Sequence, residues 1–124
     1  DYAWHYKKRL DADFLNAQAQ QFVGTYDFSA FCSSGSSVED TVRTIYSCSV
    51  VRNGDEVDFY VEGSGFLYHM VRIMVGSLIE ISEKRIEIDT LTAIIEGMDR
   101  EKAGRTAPAQ GLYLDAVSYG EAEG

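Results

Sequence analysis

The sequence predicts an α+β domain in which a small, mainly antiparallel sheet is packed by helices. Three observations carry that expectation. Two β-rich runs, TVRTIYSCSVV and EVDFYVEG, lie around Asn53-Gly54, and Asn-Gly favours the centre of a tight hairpin because both positions tolerate positive φ. The run GFLYHMVRIMVG, 65–76, is almost wholly apolar and long enough to be a helix. The order of elements (helix, hairpin, two helices, loop, strand) suggests an α+β sandwich. At 124 residues the chain suits one core, so 1–124 is read as a single domain.

In chain order, DADFLNAQAQQFV, 11–23, reads as the first helix. Asp11 or Asp13 can cap it, Gly24 can stop it, and Leu15, Ala19 and Phe22 share one face. Residues 24–40 read as an exposed loop, rich in Ser and Gly at CSSGSSVED. Within it, Phe28 and Phe31 either pin the loop to the core or line a cleft. In the hairpin, Val57, Phe59 and Val61 alternate with Asp58, Tyr60 and Glu62, which predicts one buried face and one wet face. Gly63-Ser64-Gly65 ends the second strand and leads into a helix over 66–82. A further helix runs from Asp89, its expected cap, through Leu91, Ile94 and Ile95 to Gly97. A polar stretch, 99–111, holds the single proline in GRTAPAQG, and LYLDAVSY, 112–119, is the last strand. So few strands leave sheet edges to cover, which a partner segment outside the chain would do.

Composition narrows the function. Hydrophobic residues are 45% and charged residues 25%, as in a globular chain. The longest apolar stretch is broken by His69, Arg72 and Glu80, so no membrane span is expected. The sequence starts at Asp1 with nothing like a signal peptide, and it reads as a cut fragment of a cytoplasmic protein. A net charge of −9 argues against nucleic acid, because phosphate binding needs a basic surface. Lys7, Lys8 and Arg9 still form a local basic cluster to which Arg43 and Arg52 can add. Cys32 and Cys48 form no CxxC, are too few for a metal site, and gain no ligand spacing from His5 or His69. Free thiols are favoured over a disulfide. No Ser/His/Asp set or phosphate loop stands out, and GSGF lacks both GxGxxG and a Walker lysine.

The apolar helix holds the one anomaly. At about 100° per residue, His69, Arg72, Gly76 and Glu80 fall on one stripe, and the rest of the circumference is apolar. Arg72 therefore lies in or near the interior, where a charge needs a partner. No carboxylate sits three or four residues away on the helix. Two readings stay open: a structural ion pair inside the domain, with Asp58, Asp115 or Glu80, or a cleft arginine whose carboxylate lies on another domain. Gly76 lets another backbone approach. His69 reads as a satisfied polar residue rather than a catalyst.

GTYDFSAF (24–31), TVRTI (41–45), GSGFLYHMVRIMVGSL (63–78) and AGRTAPAQGLYL (103–114) stand in an order and spacing that closely resemble the C-terminal domain of the TruA-type tRNA pseudouridine synthases. The resemblance covers nearly the whole chain. It implies the C-terminal half of the pseudouridine synthase fold and isomerisation of uridine to pseudouridine in the anticodon stem-loop of tRNA. It implies no organic cofactor, no required metal, a homodimer, and a cleft shared with an N-terminal domain. The family's active-site arginine falls at Arg72 and pairs with an aspartate of a GRTDxGVHA motif in that other domain, where a tyrosine also stacks on the target base. Phe66, Tyr68, Met70 and Leu112 fall near the pocket, and Lys7, Lys8 and Arg43 are candidate RNA contacts. The sequence contains no GRTDxGVHA; Gly104-Arg105-Thr106-Ala107 has alanine where the aspartate would stand. The chain therefore resembles an isolated C-terminal domain, expected to be inactive alone. The alternative is a non-catalytic module for RNA binding or dimerisation.

Overall fold

The computed structural model describes residues 2–6, 10–33, 40–54, 56–108 and 112–114, with 2–6 and 112–114 as backbone. Among the described residues five strands form one sheet: β1 (Tyr2–Tyr6), β2 (Gly24–Asp27), β3 (Val42–Asn53), β4 (Glu56–Gly63) and β5 (Leu112–Leu114). Their order is β2-β3-β4-β1-β5, and every neighbouring pair is antiparallel. Three α-helices among the same residues accompany it: α1 (Ala12–Ala19), α2 (Met70–Ser82) and α3 (Leu91–Gly97). The α+β expectation with a mainly antiparallel sheet holds.

The first helix forms as its sequence dictates. Asp11 accepts the Phe14 N–H at 3.1 Å, so Asp11 rather than Asp13 is the cap. A short 3-10 turn, Gln20–Phe22, extends α1, and Gly24 at φ 133° redirects the chain. Leu15, Ala19 and Phe22 are all fully buried, as their shared face requires. The polar side of this helix has its own task. β2 pairs with β3 only over Val42–Ile45, and β3 shifts register between Ile45 and Ser47. Beyond that point the Val50 N–H donates to Asn16 Oδ1 at 2.9 Å, and Gln20 Nε2 donates to the Cys48 carbonyl at 2.8 Å. Side chains of α1 and the turn thus satisfy backbone groups that a longer β2 would have met.

Several elements differ from the sequence reading. β2 lies inside the stretch read as loop. It is four residues long and too short to show alternation; it is fixed by pairing with β3 and by Asp27, whose carboxylate accepts from Thr41 Oγ1 at 2.6 Å and the Ser29 N–H at 3.0 Å. Residues 34–39 of that loop lie outside the described residues. β1 was not expected, and it sits between β4 and β5. The hairpin forms, but Asn53 pairs with Glu56, which moves its turn one residue beyond the expected centre, with Gly54 at φ 64°. Asp58 is 2% exposed instead of facing water. It lies on β4, flanked by β3 and β1, and accepts from Asn53 Nδ2 at 2.6 Å. Asp89 does not cap α3; it takes φ 61° and accepts from Gln18 Nε2 at 2.8 Å, tying α3's approach to α1. The last strand covers 112–114, and 115–119 lie outside the described residues.

The core is one contiguous cluster between the sheet and the helices. Val57, Phe59 and Val61 face it as predicted, at 5% exposure or less. Phe28 and Phe31 are fully buried, their rings edge-on at 6.3 Å, so both are core and neither opens on a cleft. Cys32 and Cys48 are free thiols, as expected. Burial pushes the Cys48 thiol up to about 12, so it stays protonated and inert. Among the described residues no helix is long and apolar enough to cross a membrane.

Candidate active site around Arg72

Helix α2 starts at Met70, four residues later than expected, because residues 64–69 form an irregular approach. From Met70 to Ser82 every residue is buried except Arg72, Glu80 and Ser82; Gly76 lies buried on the stripe it shares with Arg72 and Glu80. A backbone strap, residues 104–107, lies along this stripe. Gly76 allows it: a Cβ there would fall 1.7 Å from the Arg105 carbonyl oxygen. Gly104 makes the matching approach, since its Cβ would come within 2.5 Å of the Ser77 Cα.

Polar groups then stitch the strap to the helix. Ser77 Oγ accepts the Gly104 N–H at 2.8 Å and donates to the Ile73 carbonyl at 2.7 Å. The Glu80 carboxylate accepts the Arg105 N–H, and Glu83 meets the Arg105 guanidinium at 3.0 Å. Arg100 donates to the Gly104 carbonyl at 2.9 Å and to Thr106 Oγ1 at 3.3 Å.

Arg72 stands at the far end of this contact. The Ala107 N–H donates to the Arg72 carbonyl at 3.0 Å, and Arg72 Nε donates to the Ala107 carbonyl at 2.7 Å. Main chain and side chain are thus fixed against one residue of the strap. Nε is used, while the two Nη nitrogens meet no acceptor among the described residues. The side chain is half-buried, and no carboxylate among the described residues pairs with it. Glu80 is engaged by Arg105 and Asp58 by Asn53, while Asp115 lies outside the described residues.

His69 precedes the helix in a left-handed conformation, φ 61° and ψ 12°. Its carbonyl accepts the Ile73 N–H at 2.9 Å and so begins the helical ladder. Its ring Nδ1 meets Ser33 Oγ at 2.8 Å, and the ring stacks on Tyr68 with centroids 3.7 Å apart. The Ser33 N–H also donates to the Tyr68 carbonyl at 3.1 Å. Burial, and then the charge of Arg72, lower the His69 pKa, so the ring is neutral at pH 7.

The other expected site residues are dispersed. Phe66 and Met70 are buried in the core at 3% and 0% exposure, and Tyr68 is 42% exposed. Leu112 pairs with Trp4 where β5 meets β1. Arg43 on β3 donates to the Asp40 and Val42 carbonyls, both at 2.8 Å, beside Gly65. Lys7 and Lys8 lie outside the described residues. No cluster of His, Cys, Asp and Glu suited to a metal occurs among the described residues. Sequence reasoning found Gly76 as a point of close approach. Glu80 was placed on the same stripe as a possible partner of Arg72 but meets the Arg105 N–H instead, and the roles of Ser77 and Ser33 were missed, although a Gly-Ser pair on one helix and a Gly in a polar loop are consistent with two backbones in contact.

The family model for tRNA pseudouridine synthase matches residues 18–120. A tRNA pseudouridine synthase A from Clostridium acetobutylicum is 44% identical over 96% of the chain and 49% of its own length. The protein of that name from Acetivibrio thermocellus is 49% identical over 94% of the chain and 48% of its own length. One from Staphylococcus aureus is 46% identical over 92% of the chain and 43% of its own length. The chain thus spans about half the length of these curated relatives. With a match this continuous, running through the strap, the Arg72 helix and the sheet alike, the chain belongs to the tRNA pseudouridine synthase family.

Proposed function

We propose that the chain is the C-terminal domain of a cytoplasmic, homodimeric tRNA pseudouridine synthase that converts uridine to pseudouridine in the anticodon stem-loop. Arg72 is its contribution to chemistry. One observation carries this reading: a half-buried guanidinium is anchored through Nε to a main-chain carbonyl and keeps both Nη nitrogens for an acceptor from outside the described residues. A structural arginine is expected to pair with a carboxylate of its own domain, and none among the described residues pairs with Arg72.

The reaction explains the need for this group. The target base must leave the stack to be reached. Its glycosidic carbon–nitrogen bond breaks, the base turns, a bond from the sugar carbon to C5 of the base forms in its place, and the proton lost from C5 is balanced by one gained at the freed ring nitrogen. The carboxylate supplied by the N-terminal half must stay ionised in a water-poor cleft, where burial alone would raise its pKa. A guanidinium favours the charged form and aligns both oxygens through paired hydrogen bonds. Tyr68 is the exposed ring beside Arg72, Phe66 and Met70 support that end of the helix from the core, Leu112 belongs to the neighbouring edge of the sheet, and Lys7, Lys8 and Arg43 contribute weaker contacts to RNA phosphates.

The test is pseudouridine formation on unmodified tRNA. The full-length enzyme is expected to turn over and this chain alone to be silent. Robust turnover by the chain alone would refute the division of labour, and a full-length protein without activity would refute the assignment.

A further inference from the structure

We infer that the Tyr68–His69 ring pair is a stacking platform for a nucleobase flanking the target uridine, a contact separate from the Arg72 fork. The inference rests on the tRNA reading above and adds a second point of grip to it.

The conformation of His69 is the first support. A non-glycine residue at positive φ is uncommon and carries a backbone cost that its surroundings must outweigh. Here the surroundings are Ser33, which holds the His69 ring through Oγ and the Tyr68 carbonyl through its N–H. The left-handed turn lays the imidazole against the phenol ring at 3.7 Å with 27° between planes. One ring face of Tyr68 is thereby covered, yet the residue is still 42% exposed. An aromatic ring backed by a second ring, with its backbone tied down, offers a rigid open face and loses little freedom on binding.

Position is the second support. Among the exposed large apolar residues, Tyr46, Val42 and Val51 belong to β3, and Ile88 and Met98 flank α3. Among the described residues Tyr68 alone of this group adjoins the helix end that carries Arg72, whose charge is felt at His69. When a uridine leaves its helix, the bases on either side lose a stacking neighbour. Aromatic side chains replace such neighbours with little sequence preference. A platform beside the arginine is placed for that exchange, and a neutral imidazole behind it adds no like charge to the guanidinium.

The experiment uses the full-length enzyme and tRNA carrying 2-aminopurine at a nucleotide flanking the target uridine, on either side in turn. Wild type and Tyr68→Phe are expected to quench the probe on binding at one of the two positions. Tyr68→Leu, which keeps bulk without a π face, is expected to lose most of that quench and to raise KM about tenfold with little change in kcat. Unchanged quenching and KM in Tyr68→Leu would overturn the inference. So would an equal loss in Tyr68→Phe, which would assign the effect to the hydroxyl, or a lowered melting temperature with no change in KM, which would make Tyr68 a packing residue. Absence of tRNA binding by wild type would instead sink the parent reading, and that control is read first.

Discussion

A guanidinium supplies five N–H donors in a rigid fork, and Arg72 commits Nε to the Ala107 carbonyl. Lysine in its place could reach a carboxylate or the carbonyl but has no fork to hold both. In the full-length enzyme, Arg72→Lys is therefore expected to fold with a melting temperature close to wild type and to lose about 100-fold or more in kcat. Near-normal single-turnover pseudouridine formation would remove Arg72 from the chemistry. His69 offers a separate test at the same scale. Its pKa is lowered in the fold, by burial first and by Arg72 second. Between the unfolded value and the lower folded one, the unfolded chain binds more protons, so stability falls as pH drops below about 6.5. Thermal melts from pH 7.5 to 5 are expected to show a steeper loss for wild type than for His69→Asn, which tolerates positive φ without titrating. Parallel curves would show that His69 is not responsible. Arg72 was legible in the sequence because a charge on an otherwise apolar helix conflicts with its surroundings. The left-handed His69 was not, because Ser33, 36 positions away in the chain, helps to hold it.

At the scale of elements, legibility followed local signal. The amphipathic α1, the alternation in β4 and the apolar run of α2 each carry their period in their own residues, and each formed. β1 and β2 carry little of it: five and four residues long, they are defined by partners on β4, β5 and β3. The α2 start was misplaced because Phe66 and Leu67 are buried without being helical. The strap is the element on which the site depends most, since it fixes Arg72 through Ala107. Gly76→Ala tests it. Alanine would favour the helix by up to about 1 kcal/mol, but its Cβ would meet a backbone carbonyl rather than a movable side chain. The strap must then lift, breaking the bonds from Gly104 to Ser77 and between Ala107 and Arg72. A net loss of about 1–3 kcal/mol in denaturant unfolding is expected, together with reduced activity in the full-length enzyme. Unchanged stability would mean that the strap is not packed against α2 in solution.

For the whole molecule, charge and extent decide what this domain can do by itself. A net charge of −9 opposes an RNA backbone, and the chain spans only 43–49% of the length of its relatives. Family membership was readable from four ordered motifs, since these record the strap, the hairpin and the Arg72 helix together. How those motifs meet was not readable, because the helix and the strap join through backbone contacts at Gly76 and Gly104 that no periodicity encodes. An arginine that meets no carboxylate among the described residues, on an acidic body, fits the proposed half-site better than an RNA-binding module. Fluorescence anisotropy with labelled tRNA separates the two. The isolated chain is expected to bind no tighter than the ~10⁻⁶–10⁻⁴ M typical of non-specific association, with a shallow dependence on salt. The full-length enzyme is expected to bind more tightly and to weaken more steeply as salt rises, because more phosphates are then neutralised. Tight, salt-sensitive binding by the chain alone would show that its local basic groups outweigh its net charge, and would move recognition of tRNA onto this domain.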